Sequence, residues 1–235
     1  GAIQIRSDGI GGSGNIGGTG AGGLVSVQGS DGGTTIAGQF DAIAEAVGGS
    51  GETDGGAADG GLIQWLFGDF DFQPNSFNVS ANATGGGTSG AGTGGDAVGG
   101  TVELGVNDDN ASVSTNSIAV SAVATGGASI GSGLGGAATG GDARLTLNSL
   151  GQVDITGTLS INSSAFGGLA NGGGDGGDGS GGRSQVTADS GGLLTVGTVN
   201  LTSNGTGGVG VSGGEGTVGI DLLRAPTGTE GNASN

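Results

Sequence analysis

The stretch "WLFGDFDFQPNSF", residues 65 to 77, gathers the groups most able to do chemistry: two carboxylates, Asp69 and Asp71, among five of the seven aromatic residues, Trp65, Phe67, Phe70, Phe72 and Phe77. Two apart on a strand, the carboxylates share a face, and a carboxylate pair is the equipment for acid/base work on a sugar. Their spacing along one strand is thin support, because the fold sets the separation of such a pair. The favoured reading has the phenylalanines filling a wide interior while the aspartates face water. An intermediate one makes Trp65, Phe67, Phe70 and Phe72 a recognition or subunit-contact patch. Other catalytic equipment is missing: without His, Cys or Lys there is no Ser-His, Cys-His or Ser-Lys pair. The glycine tracts also lack the G-K-[ST] of a phosphate-binding loop. The chain is expected to be non-catalytic.

Metal binding has two candidate places. "GGGDGGDGSGG", residues 172 to 182, resembles the calcium-binding nonapeptide G-G-x-G-x-D-x-U-x of RTX proteins, which makes Asp175 and Asp178 candidate ligands. The likeness breaks where Asp175 stands for an expected glycine, and no nine-residue repeat continues it. Asp108 and Asp109 in "VNDDNAS" offer oxygen ligands of the kind calcium takes, although a solvated turn explains them more simply. Calcium is the sole candidate ion, and no other cofactor is expected.

Composition narrows the partners. Of 235 residues 65 are glycine, and the formal charge is −17 with four arginines as the cations, Arg6, Arg144, Arg183 and Arg224. Such a polyanion repels phosphate backbones and anionic membrane surfaces, so neither nucleic acid nor a membrane surface is an expected partner. No apolar run approaches a membrane span. The Gly1-Ala2-Ile3 start lacks the charged and apolar regions of a signal peptide, so any export signal is expected outside this sequence. The sequons at Asn78, Asn82, Asn200 and Asn204 arise readily in a chain so rich in Asn, Ser and Thr.

The elements that must carry these residues repeat. "GQFDAIAEAVGG", "NSFNVSANATGG", "NSIAVSAVATGG", "GTLSINSSAFGG" and "GTVNLTSNGTGG" start at Gly38, Asn75, Asn116, Gly157 and Gly197, spaced by 37, 41, 41 and 40 residues. Side chains alternate across a strand, so the columns Phe40, Phe77, Ile118, Leu159, Val199 and Ala42, Val79, Val120, Ile161, Leu201 belong inside. The intervening column Asp41, Asn78, Ala119, Ser160, Asn200 belongs outside. Farther along each copy the inward positions hold only Ala, Ser or Gly, so the interior narrows toward each glycine pair. Shorter β-like pieces such as "TVEL", "RLTL" and "LLTV" bring each repeat to about three strands. In the first copy Phe40, Ile43, Ala44 and Val47 also fit a helix, which leaves a capping helix as an alternative there.

This pattern predicts an all-β fold: a parallel β-helix, or β-solenoid, of about five repeats of some 40 residues in one domain. The units run approximately 11–49, 50–86, 87–127, 128–168 and 169–208, with 209–235 a terminal coil and tail. The glycine tracts between copies parse partly into triplets, which suits polyproline-II-like segments packed beside the β core; flexible linkers are the alternative. Each repeat makes either one broad coil or two ordinary ones.

"GQVDITGTLSINSSAFGG" (151 to 168) and "GGLLTVGTVNLTSNGTGG" (191 to 208) resemble the strand repeats of bacterial filamentous-haemagglutinin-like adhesins and autotransporter passengers, and "GGDA" at 94 to 97 and 140 to 143 is similar to glycine-rich exoproteins of that kind. The resemblance implies a right-handed β-helix, secreted and displayed at a bacterial cell surface, used for adhesion, matrix or filament building. Open β-helix ends present unpaired backbone groups, so the exposed end coils are expected to stack on another copy and self-associate into a fibre or stack, with a carbohydrate or cell-surface receptor as a further partner. The alternatives are a calcium-stabilised RTX-like module, a polysaccharide-acting β-helix enzyme centred on Asp69 and Asp71, and a passive ice-binding surface.

Overall fold

A computed structural model describes residues 1–29, 38–108, 110–189 and 191–225, and every regular element among them is a β-strand. The chain winds as a solenoid. Each coil runs out along a front wall and returns along a back wall, and each wall holds a broad and a narrow parallel sheet. The broad front sheet stacks Ile3–Arg6, Gln39–Ile43, Ser76–Ser80, Ser112–Ser121, Gln152–Asn162 and Leu193–Thr202 in chain order. The broad back sheet stacks Leu24–Gly29, Leu62–Phe67, Thr101–Val106, Asp142–Leu147, Arg183–Ala188 and Ile220–Arg224. Two-residue strands make the narrow sheets, from Gly9–Ile10 to Gly205–Thr206 in front and from Gly20–Ala21 to Gly216–Thr217 behind.

Register settles the coil size. Phe40 pairs with Phe77, Phe77 with Ile118, Ile118 with Leu159 and Leu159 with Val199, so adjacent rungs lie one whole repeat apart and each repeat is a single broad coil. The inward columns read from the sequence therefore lie over one another. A sixth rung precedes them, with Ile3 opposite Phe40 and Ile5 opposite Ala42. Its segment, "GAIQIRSDGIGG", ends in the same glycine pair 37 residues upstream of the first recognised copy. Six rungs at about 4.8 Å span about 24 Å along the axis. The alternative helix at Phe40 is absent: Gln39–Ile43 and Ala46–Val47 are strands, because Phe40 and Ala42 are held between rungs on both sides.

Two interiors result. Between the broad sheets lies a core of large side chains, with Phe40, Trp65, Phe67, Phe72 and Phe77 at its early coils and Leu145, Leu147, Ile155, Leu159 and Ile161 farther on. Between the narrow sheets lie only small residues: Ala46, Ala58, Ala83, Ala97, Ala124, Ala138 and Ala165, with Gly9, Gly20, Gly179, Gly205 and Gly216 at the same positions in the outer coils. Beyond these the walls meet backbone to backbone. A hydrogen-bonded zigzag crosses from wall to wall up the stack, Gly49 to Gly18, Gly56 to Gly49, Gly86 to Gly56, Gly95 to Gly86 and Gly127 to Gly95, each N–H donating over 2.8 Å. It continues through Gly136, Gly168, Gly177, Gly208 and Gly214. The glycine tracts are thus ordered walls, and size is what they supply: a Cβ on Gly127 would overlap the Gly86 carbonyl and approach the Gly95 nitrogen to 2.8 Å. Left-handed backbone is rare by comparison, with Gly173 (φ +108) the case within the tracts.

Candidate functional site

The aromatic segment is pulled inward. Trp65, Phe67 and Phe72 are 2%, 1% and 0% exposed, so three of the four residues of the candidate contact patch face the core, and only Phe70 reaches the surface in part. Their rings pack on one another, with Phe40 edge-on to Trp65 at 4.5 Å and Phe77 edge-on to Phe72 at 5.2 Å. Burial there removes the largest apolar surfaces of the chain from water. The Trp65 indole N–H lies within this cluster without a hydrogen-bond acceptor among the described residues.

The paired-carboxylate geometry does not form as the spacing suggested. The back strand ends at Phe67, the chain bends through Gly68 and Asp69, and a new strand, Asp71–Phe72, begins on the front wall, so Asp69 and Asp71 do not ride one strand. Both are exposed, and Asp71 accepts a hydrogen bond from the Ser112 hydroxyl of the next coil.

Most other acids in the thin half are stacking groups. Asp175 accepts the Ser212 amide at 2.9 Å and Asp178 the Glu215 amide at 2.8 Å, each from the following coil. Asp96 takes the Ala137 amide at 2.8 Å, Asp54 the Thr93 amide at 3.0 Å and Asp8 the Glu45 amide at 3.0 Å in the same manner. Asp108 sits in a turn, its backbone carbonyl accepting the Ala111 amide, and Asp109 lies outside the described residues. Among the described residues no group of three or more His, Cys, Asp or Glu side chains gathers to hold a metal.

What the structure does assemble is an open groove on the back wall, running along the stack where the narrow and broad back sheets meet, with a volume of about 690 Å³. Its cause is internal. At this seam the back wall hydrogen-bonds straight to the front wall, Gly100 N–H to Ala81, Gly141 to Ala122 and Gly182 to Ser163 at 2.7–2.8 Å, so the wall dips inward. The floor is glycine backbone, Gly99, Gly140, Gly141, Gly181, Gly182 and Gly219. The rim carries Asp142, Arg144 and Arg183, so two of the four arginines meet here.

These charges are unequally paired. Arg144 donates from Nε to Asp142 at 2.7 Å, holds the second carboxylate oxygen through its terminal nitrogen, and lies 3.9 Å from Glu103. The hydrogen bond to Asp142 raises the pKa of Arg144, against an opposing effect of partial burial. Arg183 stands directly opposite Asp142 in the sheet register, yet that carboxylate is already engaged. Arg183 consequently has no ion pair among the described residues. Sequence reasoning passed over this pair; the available signal was an arginine shortly after the last glycine pair in two successive repeats, "GGDAR" and "GGR".

No protein-family model, curated protein or solved structure matches the chain. Among the described residues no helix is long and apolar enough to cross a membrane.

Proposed function

We propose that this chain is a non-catalytic structural and adhesive segment of an extracellular protein, displayed at a bacterial cell surface as part of a filament or matrix. The supporting observation is how the polar groups are used. Asp8, Asp54, Asp96, Asp175 and Asp178 are tied to amides of the adjoining coil, which leaves the outer walls and the arginine-rimmed groove to meet a partner. The likeness of residues 151–168 and 191–208 to surface-exoprotein repeats points the same way. A partner suited to the groove is a carbohydrate or receptor strand carrying an anionic group, laid over the glycine floor with its charge at Arg183.

The test is retention of the full chain on immobilised polygalacturonate, with dextran as the neutral control, for wild type and Arg183→Gln, at an ionic strength that screens the long-range repulsion between the −17 chain and a polyanion. Retention on the acidic polymer, weakened about ten-fold by loss of one charge-assisted hydrogen bond, is the expected result. Equal retention of both proteins, or none, overturns the groove as the adhesive element. Turnover of any polysaccharide that disappears in Asp71→Asn would overturn the non-catalytic reading.

A further inference from the structure

The two ends of the stack are unequal. In the last glycine pair of each coil's back wall, the first position is Gly22, Gly60, Gly99, Gly140 and Gly181 through the first five coils. A Cβ at Gly99, Gly140 or Gly181 would stand 2.6 Å from an amide nitrogen of the following coil and closer still to a carbonyl of the facing wall. The sixth coil places Val218 at this position, 74% exposed. Three residues later a second rule is broken. The inward column Val25, Ile63, Val102, Ala143, Ser184 ends in Asp221. Its side chain has no hydrogen-bond or ion partner among the described residues.

The core prepares for this change. Ser184 is fully buried, where its hydroxyl meets the Ser163 hydroxyl at 2.9 Å and the Thr202 carbonyl at 2.8 Å, so the column has turned polar one rung before the aspartate. At the other end the first coil keeps the pattern, with Ile3, Ile5, Gly9, Gly20, Gly22, Val25 and Val27 at the inward positions.

We propose that the sixth coil is a stop: its end face refuses another in-register coil, and copies of this chain do not join head to tail. This rests on the structural reading above and restricts how a matrix of such chains is built. A coil laid on that face puts its backbone into the Val218 side chain and encloses the Asp221 carboxylate without a partner, which is strongly unfavourable. An inward-pointing charge at a sheet end is an established barrier to edge-to-edge growth. Head-to-tail contact needs two different complementary faces, so disabling one suffices to prevent an axial filament. Association must then use the walls or the opposite end.

Light scattering of the full chain across a wide concentration range, at high ionic strength to screen the −17 charge, tests this, with electron microscopy of the same samples. Wild type is expected to show no axial stacking by microscopy. The double variant Val218→Gly, Asp221→Val is expected to form end-on stacks, its mean mass rising about two-fold or more above wild type. Axial wild-type fibres overturn the proposal. So does a double variant that keeps the wild-type circular dichroism spectrum and shows no gain in mass. Loss of polygalacturonate retention with these masses as expected would sink the adhesive reading and leave the stop standing.

Discussion

The thick half between the broad sheets and the thin half between the narrow ones share one chain path and one rung spacing, yet opposite means hold them. In the thick half, Phe40, Trp65, Phe77, Leu145 and Leu159 exclude water by filling space. In the thin half, water is excluded because there is no space: alanine columns give way to glycine pairs whose amides bond across the walls. The first arrangement tolerates changes of shape within a volume. At the glycine pairs of the inner coils the second tolerates no added atom, since the neighbour on the far side is backbone and cannot turn away. A solenoid can therefore be stabilised by removing side chains, provided every freed peptide group finds a partner.

The largest expected effect lies in the thin half. Gly127→Ala puts a methyl group into the Gly86 carbonyl and is expected to destabilise by more than about 4 kcal/mol, with amide exchange rising first in residues 85–95 and 126–136. Phe77→Ala comes next, at about 3–5 kcal/mol, since it empties a site contacting Trp65 at 4.9 Å and Phe72 at 5.2 Å. If urea titration ranks these two the other way round, the contrast between the halves fails. Asp178→Ala is expected to lose about 1 kcal/mol or less, because water can replace the acceptor at this exposed Glu215 amide, with faster exchange at that amide as the readout. Gly12→Ala sharpens the comparison from the other side: a Cβ there meets nothing within 4 Å, so its melting temperature should match wild type although it belongs to the same glycine motif. Finally, because Asp175 and Asp178 each accept a next-coil amide, a chelator should leave the melting curve unchanged.

Much of the thick half was legible in advance. The columns from Phe40 to Val199 and from Ala42 to Leu201 appear in the register as the alternation and spacing implied. The first rung was not, because Ile3 and Ile5 sit in a copy whose other positions are weakly apolar. Asp69 and Asp71 face water as the favoured reading had it, while the shared strand assumed for them does not form, because alternation assumes an unbroken strand and the chain turns between walls there. The recurring arginine after the glycine pair was visible, but the groove and the unequal pairing of its charges were not. Arg144 and Arg183 are 39 residues apart, and only the one-repeat register sets Arg183 beside an Asp142 already claimed by Arg144.

Alternation, repeat length and the shrinking of inward residues toward each glycine pair belong to the sequence, because they follow from the two-residue period of a strand and the volume of each side chain. The pairing of glycine tracts across the walls, the dip that makes the groove and the unequal ends belong to the tertiary structure. Those depend on which backbone atoms of distant residues come within a hydrogen bond of one another, and a glycine carries no side chain by which a sequence could announce its neighbour.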